Sequence, residues 1–205
     1  MILTSSPGRV ALLDFLGDDL TIVNAARVSY GKRITEMSER DDTLLANLIR
    51  DGHGTPLEHV VFQFRVTCPI FVARQWQRHR WGSYNEKSGR FKQAEPEFWI
   101  TAHHAAKQLE GQLQRHYTDA WELYVAQIEA GVPREEARAI LPQALITEFY
   151  WTVNARAAFN FIRLRNAEDA QSEIQLLAHK VLLHMNTVIP KTVEVFSKMS
   201  SHHAL

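Results

Sequence analysis

The period of apolar positions changes several times along the chain, and each change marks an element. From Ser38 to Asp51, Leu44, Leu45, Leu48 and Ile49 recur at helical spacing behind a charged lead of Glu39, Arg40, Asp41 and Asp42. This predicts an amphipathic helix. Past the turn Asp51-Gly52-His53-Gly54-Thr55-Pro56 the period falls to two: Phe62, Phe64, Val66 and Cys68 alternate with Gln63, Arg65 and Thr67, which predicts a half-buried strand. Pro69 suits the first position of a helix that Ile70, Phe71, Val72, Arg74, Gln75 and Arg78 continue until Gly82 stops it. The stretch from Gly82 to Glu97 is rich in turn formers and charge and predicts an ordered loop, the kind of segment that carries function. Leu109, Leu113, Tyr117, Ala120, Trp121, Tyr124 and Ile128 predict a long amphipathic helix over Ala102–Ala130, closed by Gly131. Three further helical stretches are predicted over Arg134–Leu141, Ala144–Arg165 and Ala167–Val188, ended by Ile189-Pro190. The pattern predicts an α+β class with a large helical portion. With no repeat, low-complexity tract or linker, it predicts a single domain over residues 1–205.

Composition narrows the function more than the fold. Of 205 residues, 45% are apolar and 22% charged, enough to bury a core and too apolar for a disordered chain. Lys plus Arg number 23 and Asp plus Glu 23, so no global field draws the chain to nucleic acid or membrane, and an anion site must be local. Arg9, Asp14, Asp18 and Asp19 interrupt every short apolar run near the start, which predicts no secretion leader. No stretch approaches the roughly 20 apolar residues of a membrane span. A lone cysteine, Cys68, excludes an internal disulfide and a multi-cysteine zinc site and suits a reducing cytoplasm. Its parity with Phe62, Phe64 and Val66 predicts a small core hydrophobe rather than a nucleophile.

The densest chemistry lies in Arg74-Gln75-Trp76-Gln77-Arg78-His79-Arg80-Trp81-Gly82-Ser83-Tyr84-Asn85-Glu86-Lys87-Ser88-Gly89-Arg90. Guanidinium forks match phosphate oxygens, and Ser88 with loop amides adds donors to the same anion, so a phosphorylated ligand fits. Composition alone favours another reading of the segment, a solvated basic helix face capped by a turn. Its cations interleaved with aromatics also suit a single-stranded nucleic acid, against which stand the zero net charge and Glu86, Glu95 and Glu97. A metal hydrolase built on His53, Glu58 and His59 with His103-His104 or His202-His203 has poor ligand spacing, since Pro56 separates His53 from His59.

Arg78-His79-Arg80, followed after seven residues by Ser88, resembles the signature of the flavin-dependent thymidylate synthases. The resemblance extends over most of the chain. It includes Ala25-Ala26-Arg27-Val28-Ser29, the block His53-x-Thr55-Pro56-x-Glu58-His59, and Ala137-Arg138-x-x-Leu141-Pro142. In the second half it includes Asn154-Ala155-Arg156, Asn160, Leu164-Arg165 and Ala170-Gln171-x-Glu173-Ile174. Asp169 and Phe91 stand where members often carry histidine and tyrosine.

The resemblance implies a thymidylate-synthase-complementing type of fold with a mixed sheet. It also implies a homotetramer with active sites at subunit interfaces, and methylation of dUMP to dTMP. Methylenetetrahydrofolate would supply carbon and NADPH would supply electrons through FAD. No nucleic acid, membrane or metal partner is implied, and no G-x-G-x-x-G is present to bind the flavin in Rossmann fashion.

By the same resemblance, Gln75, Trp76, Gln77 and Arg78, with Glu86, Lys87, Ser88, Gly89 and Arg90, would hold dUMP, joined by Arg138 and Arg165. Thr55, Arg78, His79, Arg80 and Glu86 would contact FAD, with Asn154, Arg156 and Asn160. Arg165 would activate the uracil at its N3 and O4 edge, and His53 would stand beside the flavin on the folate or nicotinamide side. On spacing alone, Arg138 reads as a helical ion-pair residue and Arg165 as a helix-terminal cation near its own dipole.

Overall fold

The computed structural model describes residues 1–200 and divides them into two compact units, each assembled from separate stretches of chain. The first unit comprises Met1–Arg9, Val66–Arg78 and Asn85–Phe149. The second comprises Val10–Arg65, His79–Tyr84 and the chain from Tyr150 onward. Two sheets are present among the described residues. β1 (Ile2–Thr4) pairs in parallel with β5 (Glu97–Trp99), Leu3 opposite Phe98. A four-stranded sheet runs in the order β2 (Arg9–Leu16), β3 (Val61–Pro69), β6 (Ile146–Asn154), β4 (Ser83–Glu86). All four strands of this sheet contribute residues to both units.

In the first unit, Phe98, Tyr117 and Leu145 form a core against which Leu3, Ile70, Leu141 and Trp121 pack. Tyr117 and the buried Tyr124 come from α4 (Glu110–Glu129), which ends at Ala130 with Gly131 at φ 89°. The long helix expected over Ala102–Ala130 is thus α4 preceded by a 3₁₀ turn, His104–Leu109. α3 (Ile70–Trp76) is shorter than predicted. Pro69 closes β3 and caps the helix in extended conformation rather than opening it, and helical bonding ends when Gln77 N–H donates to the Ala73 carbonyl. Part of the expected loop Gly82–Glu97 is strand β4. Beyond α4 lie α5 (Arg134–Ala137) and a 3₁₀ turn, Arg138–Ile140.

The second unit holds α1 (Asp19–Arg27), α2 (Glu39–Arg50), α6 (Ala155–Arg165), α7 (Ser172–Val188) and α8 (Pro190–Ser200). α2 bears out the prediction: Ser38 precedes it, and the Asp41 carboxylate accepts from the Ser38 N–H at 2.8 Å and its hydroxyl at 2.7 Å. Burial would raise the Asp41 carboxyl, but the Ser38 bonds and the Arg27 guanidinium outweigh it and hold it below the usual carboxylate range.

The helix expected over Ala144–Arg165 is corrected. Its first half is strand β6, where Thr147, Phe149, Trp151 and Val153 face inward at period two, and only Ala155–Arg165 is helical. Asn154 turns one into the other: its side chain accepts from the Ala157 N–H at 2.9 Å while the Ala155 N–H bonds the Val60 carbonyl. Pro190 ends α7 as predicted but also begins α8, whose Lys191 and Thr192 amides both donate to the buried Asp19 carboxylate at 3.0 Å. His202 and His203 lie outside the described residues.

Candidate active site

The conformation of the loop from Glu86 to Arg90 in the first unit follows from its neighbours. The Lys87 amide bonds the Glu148 carbonyl at 2.9 Å, and the Ser88 hydroxyl accepts from the Arg90 amide at 3.2 Å. Gly89 lies against Arg138: a methyl at that position would stand 3.0 Å from the arginine Cδ, so a side chain there would push the guanidinium away. Arg90 pairs loosely with Glu135 at 3.5 Å, both half-exposed. The structure therefore brings Arg138, Ser88, Gly89 and Arg90 together. Lys87 pairs with Glu95 at 3.2 Å, and Lys92 and Lys87 hold the Glu95 carboxyl below its usual range.

Glu86 is clamped at both carboxylate oxygens. Gln77 donates to one at 3.0 Å, and the buried Thr147 hydroxyl donates to the other at 2.6 Å. The apolar spacing that predicts a helix over Ala144–Arg165 hides Thr147; its inward parity in Ile146–Val153 is the available signal. Trp76 is completely buried, edge-on to Phe149 at 5.7 Å, so its indole belongs to the core. Cys68 is buried as expected, and burial, with the nearby Glu86 charge, pushes its thiol up to about 12. A thiolate is absent there at neutral pH.

The second unit holds Arg165, His53 and most of the residues expected at a flavin. Arg165 Nε donates to His79 Nε2 at 2.9 Å. The imidazole meets the Phe161 ring edge-on at 5.0 Å, and the Tyr84 hydroxyl donates to the His79 carbonyl at 2.7 Å. Burial, then the Arg165 charge, pushes His79 down to about 4, so the ring is neutral with its proton on Nδ1. Tyr84, through its hydroxyl, and Phe161, through its ring, are further residues that sequence reasoning missed; both act through tertiary contacts, which leave no local mark.

A cleft of about 380 Å³ is lined by Glu58, Val61, Arg80, Trp81, Gly82, Ser83, Thr152, Val153 and Asn154. Gly82 fits against β6 so closely that a Cβ would come within 2.7 Å of Trp151 Nε1. The Trp81 ring is 82% exposed at its rim. Nearby in the chain fold, Arg156 pairs with Glu58 at 2.6 Å and lies across Gly54, whose missing Cβ would stand 2.5 Å from Arg156 Nε. Thr55 opens a 3₁₀ turn, Thr55–His59, and His53 is exposed just before it, its amide bonded to the Leu48 carbonyl. Asn160 accepts from Arg163 at 3.0 Å. Arg80, Arg156 and the capped N-terminus of α6 form a donor set suited to a large anionic cofactor, with the backbone approaching closely enough to exclude side chains. Among the described residues no group of three His, Cys, Asp or Glu side chains could hold a metal ion. No helix among them is long and apolar enough to cross a membrane.

Comparison with known proteins shows the family of the chain. The sequence profile of the thymidylate synthase complementing protein family matches residues 11–191. The chain belongs to that family. Among its relatives, the flavin-dependent thymidylate synthase of Thermotoga neapolitana is 44% identical over 199 residues, covering 93% of this chain and 91% of that protein. The flavin-dependent thymidylate synthase of Borreliella burgdorferi is 41% identical over 184 residues, covering 82% and 69%. The crystal structure of a UMP/dUMP methylase, PolB from Streptomyces cacaoi bound with 5-Br dUMP, superposes with a TM-score of 0.90 at 29% identity, covering 97% of each chain. The α+β architecture expected from the sequence is thus the architecture of the thymidylate synthase complementing family.

Proposed function

We propose that this chain methylates dUMP at uracil C5 to give dTMP, as one catalytic domain acting in the cytoplasm as a homotetramer with shared active sites. Methylenetetrahydrofolate is the carbon donor, and NADPH supplies electrons through FAD. One observation carries the reading beyond family membership: the only thiol is sealed in the core and protonated, so a cysteine adduct at uracil C6 is not available. The base must instead be activated electrostatically, and Arg165, held by a neutral imidazole, is the cation suited to that task.

In this reading Arg90, Arg138, Ser88 and the amide of Gly89 receive the nucleotide phosphate, for which permanent cations are needed at every pH. Glu86, fixed by Gln77 and Thr147, is a rigid acceptor for the nucleotide's donors. Arg80, Arg156, Thr55, Asn154 and Asn160, with the Arg78-His79-Arg80 segment, receive the flavin, and His53 offers a flat face beside it. When held by these residues, FAD would supply the two-electron reduction needed to bring the transferred one-carbon unit to the methyl level.

Absorption spectra of the purified protein test this. Bound flavin bands that shift on adding dUMP, followed by NADPH-dependent dTMP formation, are expected. A folded protein that binds no flavin at saturating FAD refutes the reading. Running UMP beside dUMP tests whether the pocket shares the dual substrate range of the Streptomyces cacaoi protein.

A further inference from the structure

An aromatic side chain buries about 150–250 Å² when it packs, so a tryptophan left in water forgoes a large stabilisation. Of the five tryptophans, Trp76 and Trp151 are sealed in the core and Trp99 and Trp121 are partly covered, whereas Trp81 is 82% exposed. The backbone holds it there. Gly82 lies close against β6, where a Cβ would come within 2.7 Å of Trp151 Nε1 and 3.0 Å of the Thr152 carbonyl oxygen, so the space beneath the segment is already filled. Ser83 then begins β4, which pairs with β6 and fixes the chain that follows.

Trp81 lines the cleft of about 380 Å³, all of whose lining residues belong to the second unit. Val61 and Val153 add apolar surface to it, and Arg80, Ser83 and Asn154 add polar groups. The volume falls in the range of small-molecule sites, about 300–1,000 Å³. A wide aromatic face beside a permanent cation suits a planar heteroaromatic ring that carries phosphate.

We propose that Trp81 is the stacking platform for a flat ring of the flavin cofactor, isoalloxazine or adenine. This rests on the reading that Arg80, Arg156 and Asn154 receive FAD. Stacking takes one face of the indole and one face of the ligand ring out of water together, a gain that phenylalanine largely keeps and alanine cannot supply.

The test titrates FAD, FMN and ADP separately into the full chain by calorimetry, with no dUMP, folate or NADPH present, and follows oligomeric state by size-exclusion chromatography. W81A is expected to weaken FAD binding about tenfold and W81F less than about threefold. Oligomeric state and the urea midpoint are expected to stay unchanged, because the exposed ring contributes little to the packing of its own chain. The tenfold loss is expected to reappear with one fragment, FMN if isoalloxazine is stacked and ADP if adenine is.

FAD affinity in W81A within about twofold of the wild type overturns the role of Trp81, and R80A shows whether the cleft reading falls with it: a loss of FAD affinity in R80A keeps the flavin there, and no loss removes it. A loss equal in W81A and W81F, a loss absent from both fragments, or a changed oligomeric state in W81A also overturns the stacking role. A wild-type chain that binds no FAD refutes the flavin reading and this proposal with it.

Discussion

Gly54 offers a clean separation of stability from function. Its backbone is right-handed, φ −78° and ψ −19°, so alanine is conformationally compatible, and the loss of unfolded-chain entropy favours the variant by about 0.4–1 kcal/mol. The added Cβ, however, would stand 2.5 Å from Arg156 Nε, 2.7 Å from its Cδ and 2.9 Å from its Cζ. The obstacle is a flexible side chain, so the arginine swings away and leaves Glu58. That pair spans 2.6 Å with side chains 53% and 41% exposed, and its loss costs only about 0–1 kcal/mol. The two effects nearly cancel, and G54A is expected to match the wild type in urea denaturation to within about 1 kcal/mol.

Flavin binding should not be spared. Displacing a charge-assisted bond to the cofactor costs about 1.5–3 kcal/mol, or roughly ten- to 150-fold in Kd, measured by quenching of flavin fluorescence. If Gly54 acts through Arg156, the double variant G54A/R156A binds flavin no more weakly than R156A alone. Unchanged flavin affinity in G54A, with R156A impaired, would show that the resting place of Arg156 is irrelevant and refute the reasoning.

Asp19→Ala strips the buried acceptor from two amides at the start of α8 and from the Thr192 hydroxyl, and should cost about 2–4 kcal/mol in chemical denaturation. A change under about 1 kcal/mol would mean that α8 does not depend on this cap. His79 is held down to about 4 against an ordinary 6.5, so the unfolded chain binds the extra proton between these values. The His79 contribution to stability therefore falls as pH drops from 6.5 to about 4, and the stability difference between wild type and H79Q should narrow or reverse over that window and be flat above it. Cys68 should resist iodoacetamide in the native protein at neutral pH, and C68A should retain turnover; inactivation by either would point to a thiol-dependent step. Arg90→Ala is expected to weaken dUMP binding about tenfold while leaving flavin binding intact, and equal losses of both in titration would undo the assignment of Arg90 to the nucleotide.

Elements whose burial follows a single period were legible. α2 and β3 show it, because one face is covered and the other is not, so the apolar spacing records the geometry directly. β6 carried the same period-two mark, but Ala144, Leu145 and the helix that follows blurred it into one helical run. β2 carries no such mark, since Leu13, Phe15 and Leu16 are all exposed and its parity is uninformative. α8 was hidden because Pro190 stops one helix and starts the next, and its cap arrives from Asp19, distant in sequence.

The chemistry of the candidate site was written in the order Arg78-His79-Arg80 to Ser88 and in the blocks around Thr55, Arg138 and Arg165, since residue type and spacing suffice to state which groups a ligand needs. Which partner fixes each group was not. Glu58 and Arg156 are 98 positions apart, His79 and Arg165 86, Glu86 and Thr147 61. Spacing along a chain limits contacts only within a turn or two of helix or across adjacent strands. At these separations the meeting of two side chains is set by how the elements pack, and only the tertiary structure decides it.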